Sequence, residues 1–254
     1  MPLFTVITVV LNDENGIEKT VVSLSSQTYK NFEFIIIDGG SVDKTLEICK
    51  RNICFIDQIV SEVDNGLYDA MNKGIARATG TYLIFMNSGD CFYDRKILER
   101  FAYQITLFDY PDFVYGDASE KSGDHLLIKP ARSHKYAWYG MFTHHQSMFY
   151  KRTLLADLRY DTSYPIGADY DFTLAFLKNA KNIIYLPYCV CIFERGGVSS
   201  RNIKQSALDL YRIRKSKFGF NSLISMGILF LGFSVYAIRK VIPRLYEAFR
   251  FRQG

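Results

Sequence analysis

TYLIFMNSGDC, residues 81–91, is apolar as far as Met86 and then breaks on Asn87, Ser88, Gly89 and Asp90. A short apolar run bounded by turn residues reads as a strand covered on both faces. Its carboxyl end delivers an amide, a hydroxyl and a carboxylate on a Ser-Gly turn. In open α/β sheets that is where ligands bind.

Working outward, FTVITVVL (4–11), FEFIIID (32–38) and CFIDQIVS (54–61) read as further strands. Helices are expected between them. Ile17, Val21 and Leu24 sit at helical spacing within 15–27, behind an Asn15-x-x-Glu18 pattern like a capping box. Residues 41–51 and 67–78 read as two more. Strands alternating with helices of this length imply β-α-β units and a mainly parallel, Rossmann-like sheet over about 1–110. Beyond that the pattern loosens. FVYGD (113–117), HLLIK (125–129) and QSMFYK (146–151) read as short strands, 169–180 as a helix, and 182–194 as one or two strands. A mixed half of about 111–200 follows, and then a tail, 201–254.

Three polar clusters fall at strand ends: Asn12-Asp13, Asp38-Gly39-Gly40-Ser41 and Asn87-Ser88-Gly89-Asp90. Each alone is compatible with an ordinary turn. Together they converge on one rim. The G-x-G-x-x-G dinucleotide fingerprint and the GxxxxGK[ST] phosphate loop are both absent, which disfavours a Rossmann dehydrogenase and a P-loop NTPase. A carboxylate on a backbone turn suits a hard cation, Mg²⁺ or Mn²⁺, shared with substrate phosphates.

The net charge of +5 is unevenly distributed. Residues 196–254 hold eleven Lys/Arg against two acids, Asp209 and Glu247, so the body is acidic and the tail basic. The tail suits an anionic surface. It has no interleaved recognition motif, so nucleic acid is not an expected partner. Five cysteines without a C-x-x-C pair fit a reduced, cytoplasmic protein better than a disulfide scaffold. The amino terminus reads as a first strand, not a secretion signal.

V-I-T-V-V-L-N, I-I-I-D-G-G-S-V-D-K-T, S-E-V-D-N-G-L-Y-D-A-M-N-K-G-I-A-R-A-T-G and F-M-N-S-G-D, in this order, resemble family 2 glycosyltransferases of the GT-A fold. The likeness is closest to bacterial members of colanic-acid and other exopolysaccharide clusters. It recurs at H-H-Q-S-M-F (144–149), G-A-D-Y-D (167–171) and G-G-V-S (196–199). The resemblance implies that Asp38 contacts the nucleotide base and that Asp64, Asn65 and Asn72 line the donor pocket. Asp90 matches the last acid of the metal-binding D-x-D element. Asn12, Asn87 and Ser88 join it on the donor side. Asp169 matches the general base of inverting members, and His145 and Gln146 are placed near phosphate or acceptor. Two positions depart from the pattern. Asn87 and Ser88 stand in place of the first D-x-D acid, and Ala168 replaces the Glu before Asp169. The Q-x-x-R-W element of processive synthases is absent, which implies a single addition.

The expected reaction is therefore inverting transfer of one sugar from a nucleotide diphosphate sugar, UDP favoured, to a glycan or lipid-linked acceptor. The alternative is a non-catalytic nucleotide-sugar-binding or scaffolding subunit. Among the remaining candidates, His144 pairs with His145 without a third ligand in sequence reach. Asp117 reads as a turn cap, and Cys189 and Cys191 as core. Cys91 is a thiol beside the site, and 195–200 reads as a loop able to close over phosphates. Finally, SLISMGILFLGFSVYAI (222–238) runs 17 residues without a charge. As a helix it would reach about 26 Å, short of a hydrocarbon core of about 30 Å. Val241, Leu245 and Phe249 continue an apolar face with Arg244 nearby. The expectation is a peripheral or monotopic anchor on the cytoplasmic face of the inner or plasma membrane.

Overall fold

The computed structural model describes residues 1–122, 125–194, 202–242, 246 and 250–253. The expected loop at 195–200, and Arg244, Leu245 and Phe249 of the tail, lie outside the described residues.

Strands β1 (Phe4–Val10), β2 (Phe32–Asp38), β3 (Gln58–Ser61) and β4 (Tyr82–Phe85) alternate with helices α1 (Glu14–Ser25), α2 (Thr45–Arg51) and α3 (Leu67–Arg77). β1 lies between β2 and β4 and is parallel to both, and β3 is parallel to β2. Register pairs Val10 with Asp38, so the strand ends are level. β1 is buried along its whole length because both faces are covered. Phe4, Val6 and Val10 join one core, and Ile7 and Val9 the other. This two-residue alternation divides the interior into two layers.

The second half adds β5 (Cys91–Phe92), α4 (Ile97–Leu107), β6 (Phe113–Ser122), β7 (His125–Lys129), β8 (Met148–Lys151), α5 (Ala168–Leu177) and β9 (Ile183–Glu194). β8 is antiparallel to both β4 and β6, and β9 is parallel to β6. The sheet order is β10-β7-β6-β8-β4-β1-β2-β3, where β10 is Arg252–Gln253. Two helices follow the body, α6 (Ile203–Phe218) and α7 (Ser222–Val241).

Several expectations need correction. α1 is capped by Asp13, whose Oδ1 accepts from Gly16 N at 3.1 Å, not by Asn15 and Glu18. The helix expected from residue 41 begins at Thr45. Before it, Asp38 accepts the Ser41 N–H, Asn12 the Val42 N–H and Asp43 the Thr45 N–H, which holds 41–44 as a loop. α4 was not anticipated, although Leu98, Phe101, Ala102 and Ile105 are buried at helical spacing. β9 is one strand, and its register against β6 shifts at Gly116–Ala118.

Candidate active site

Side chains tie the three strand-end clusters into one rim. Asn12 adopts a left-handed conformation (φ 49°), which Asn tolerates better than most residues. Its N–H donates to Ser41 Oγ at 2.8 Å. Asp13, while capping α1, also accepts from Ser88 Oγ at 2.7 Å. Thr20 Oγ1 accepts from Gly89 N at 3.0 Å and donates to the Asp90 carbonyl at 2.9 Å. Gly89 has φ 90°, so the turn after Asn87 needs glycine for its backbone conformation.

Asp38 is fully buried. It accepts from Ser41 N and, at 2.6 Å, from Ser61 Oγ. It presents no exposed oxygen, and its bond to Ser41 N holds the turn that follows β2. Asp64 accepts from Gly66 N, and its Oδ2 lies where a Cβ on Gly39 would meet it at 2.4 Å. Asn65 N–H donates to Asp69 at 3.0 Å. Asn72 was expected in the donor pocket, but both ends of its amide are taken by the Tyr160 backbone. It clamps α3 to the segment that leads into α5.

A second set forms a continuous line. Asp90 is 6% exposed and accepts from Gln146 Nε2 at 2.6 Å. The neighbouring His145 places Nε2 3.4 Å from Asn87 Nδ2 and Nδ1 3.7 Å from Asp169 Oδ2. Burial pushes the His145 pKa down to about 3, so the ring is neutral. With Asn87 donating to Nε2, the ring proton sits on Nδ1 and faces Asp169.

Asp169 is in the first turn of α5, where the helix dipole favours an anion. Tyr170 N–H donates to it at 2.8 Å, which also favours the charged form. Burial outweighs both and raises its pKa to about 6. A carboxyl tuned to that value is suited to accept a proton near neutral pH.

Asn87 Oδ1 and Gln146 Oε1 are buried and find no hydrogen-bond partner among the described residues. They are hard oxygen donors flanking Asp90, and they fit a divalent cation whose other ligands are water and phosphate. Among the described residues no group of three or more His, Cys, Asp or Glu converges as a metal site.

The other candidates have structural places. The His144 ring packs at a tilt against Phe193, with Lys129 Nζ 3.2 Å from its Nε2. Asp117 accepts from Ala131 N and Tyr185 OH. Cys189 and Cys191 are buried, while Cys91 is half-buried beside the site. Thr20, Tyr68 and Asp209 also reach this region, and no sequence motif assigns them a role. Tyr68 donates to the Ile166 carbonyl at 2.6 Å and lies 3.5 Å from Asp169 Oδ1. Asp209 had one visible signal, an acid inside a basic segment.

Residues 5–168 match the family described as Glycosyl transferase family 2. The chain is 31% identical over 223 residues to a PGL/p-HBAD biosynthesis glycosyltransferase of Mycobacterium bovis, covering 82% of this chain and 83% of the relative. It is 27% identical over 251 residues to an uncharacterized glycosyltransferase of Haemophilus influenzae, covering 91% and 95%. Among solved structures, S. aureus TarS 1–349 in complex with UDP-GlcNAc shares the fold with TM-score 0.68 at 19% identity, covering 90% of this chain and 70% of that one. The mannosyltransferase PcManGT from Pyrobaculum calidifontis, in complex with GDP-Man and Mn²⁺, gives 0.67 at 18%, covering 94% and 76%. With a strand-end rim, a GT-A-like sheet and this family match over most of its length, the chain belongs to glycosyl transferase family 2 and is a glycosyltransferase.

Proposed function

We propose that the enzyme transfers one sugar, with inversion, from a nucleotide diphosphate sugar to a hydroxyl of a growing, lipid-linked surface glycan. The observation that carries this reading is the line Asp90–Gln146–His145–Asp169. It joins a carboxylate suited to the diphosphate side to a carboxyl of raised pKa suited to the acceptor. UDP is the favoured nucleotide, supported by the TarS complex, and the GDP-Man complex argues for assaying both.

In this reading Asp169 removes the proton from the acceptor hydroxyl as its oxygen attacks the anomeric carbon opposite the diphosphate. Neutral His145, with Nδ1 3.7 Å from Asp169 Oδ2, borders the carboxylate without competing for its charge. Asp90 with the Asn87 and Gln146 amide oxygens would hold Mg²⁺ or Mn²⁺, which neutralises charge on the departing diphosphate. The 38–41 turn, ordered by Asp38, and Asp64 with Asn65 form the floor for the nucleoside.

The tail is proposed to rest on the cytoplasmic leaflet where such an acceptor is presented. α7 supports this. Leu223, Met226, Phe230 and Val241 are exposed, and Phe230 is 75% exposed. No helix among the described residues is long and apolar enough to cross a membrane, so the contact would be interfacial.

A panel of UDP- and GDP-sugars, with and without Mn²⁺, tests the donor assignment. Asp90→Ala is expected to abolish turnover and metal-dependent donor binding while folding survives. Unchanged metal dependence would remove Asp90 from that role. Asp169→Asn is expected to keep donor affinity and lose transfer by about 10²–10⁴-fold. Equal losses in binding and rate would reduce Asp169 to a structural residue.

A further inference from the structure

We propose that Asp209 of α6 is a positioning residue for Asp169, and that α6 therefore belongs to the catalytic body and only α7 to the membrane-contacting tail. This rests on the reading of Asp169 as the base.

α5 lacks a side-chain cap of its own, because its N-cap is Gly167. The cap comes from another helix. Asp209 Oδ2 accepts from Ile166 N at 2.9 Å and from Gly167 N at 3.0 Å. Its Oδ1 accepts from Gln205 Nε2 at 2.8 Å, and the residue is fully buried. Ile166 is thus gripped at both backbone groups, its N–H by Asp209 and its C=O by Tyr68. Asp169 is two residues beyond Gly167, so these bonds set where its carboxyl lies relative to His145.

The contact is close as well as polar. A Cβ on Gly167 would lie 2.9 Å from Asp209 Cβ and 3.1 Å from Ile213 Cδ1. Asp209, Ile213 and Lys217 recur at four-residue intervals and share one face of α6. Ile213 is fully buried, and Lys217 lies 3.0 Å from Asp171 Oδ1. Arg214, beside them, is buried and donates to the Tyr139 carbonyl. In a segment otherwise rich in cations, the one acid of α6 is the one aimed at the start of the catalytic helix. A carboxylate accepting three N–H bonds is a rigid support.

A cap that served stability alone would lower the melting temperature and leave turnover per folded molecule unchanged. A positioning residue behaves differently. Asp209→Ala in the full-length enzyme is expected to keep the donor KM within about twofold and lower kcat for transfer by about 10–100-fold, the loss expected from misplacing a reacting group by a fraction of an ångström to an ångström. Asp209→Asn retains an oxygen for both N–H groups and is expected to restore kcat to within about threefold. The double variant Asp169→Asn/Asp209→Ala is expected to be no slower than Asp169→Asn, because the two act through one group. Additive losses, or a donor KM that rises in step with the fall in kcat, would overturn the inference. If Asp209→Ala does not fold, Asp209→Ser withdraws the carboxylate from the same two N–H groups and carries the same test. If Asp169→Asn loses transfer while a folded Asp209→Ala or Asp209→Ser keeps full kcat, this inference alone fails. If Asp169→Asn retains transfer, the base assignment fails and this inference falls with it.

Discussion

Asp169 is where opposing local effects meet. The helix start and the Tyr170 N–H stabilise its anion, and burial destabilises it more, leaving the pKa at about 6 against a usual 3.8. The kcat/KM for the acceptor is therefore expected to rise with pH through about 6 and then level. His145, held neutral with its pKa near 3, adds no limb in that range. A profile of kcat/KM against pH, at saturating donor and subsaturating acceptor, checks this. The same shift has a cost in stability. Between about pH 4 and 6 the folded protein keeps a proton that the unfolded chain has lost, so stability falls as pH rises through that window and is flat above it. Asp169→Asn is then expected to raise the unfolding free energy at pH 8, read from chemical denaturation, by an amount on the order of 1–3 kcal/mol, with the gain shrinking toward pH 4. A variant less stable than the wild type at pH 8 would contradict this.

At the scale of elements, packing overrides propensity where α3 crosses β1. Gly74 lies inside α3, where alanine is intrinsically preferred by about 1 kcal/mol. A Cβ there would come within 2.5 Å of Ile7 Cγ2. Ile7 is fully buried on the central strand, and its branched side chain is stiff at χ1, so it cannot swing aside. Gly74→Ala is expected to destabilise by about 1–3 kcal/mol, read from chemical denaturation with an unchanged m-value. Stabilisation would mean that β1 and α3 can separate slightly without loss. α3 also holds the segment leading into α5 through Tyr68 and Asn72.

For the whole molecule, the question is where the enzyme ends and its proposed attachment begins. α7 has twenty residues and exposes most of its apolar side chains, with Ile228 a buried exception. Truncation after residue 218 keeps α6 and removes α7. That protein is expected to leave the membrane fraction, retain donor hydrolysis and transfer less to a membrane-borne acceptor, as fractionation and flotation with anionic vesicles would show. Truncation at residue 201 also removes Asp209, and is expected to lose transfer to soluble acceptors as well. A 218 truncation that still pellets with membranes, or a full-length protein soluble without detergent, would refute the attachment.

The donor half was readable from the chain because its signals are local. Short apolar runs alternating with helical patterns specify parallel strands covered on both sides, and polar residues at the carboxyl ends of such strands gather on one rim. Asp90 is legible from its place at the end of an apolar strand, whereas His145 and Gln146 stand out through family likeness alone. α4 carried a local periodic signal too, and was simply passed over. Tertiary structure decided the rest, through contacts between residues far apart in sequence. Asn72 became a clamp because Tyr160 lies opposite it, 88 residues on. Asp38 lost its exposure because Ser41 and Ser61 fold over it. Asp169 acquired its raised pKa from burial that no window around residue 169 encodes. Asp209, an acid in a basic tail, took its place at the start of α5 only because α6 packs back onto the body. Hydrophobic periodicity specifies which face of an element turns inward, and it carries no record of which distant backbone group a buried polar atom will meet.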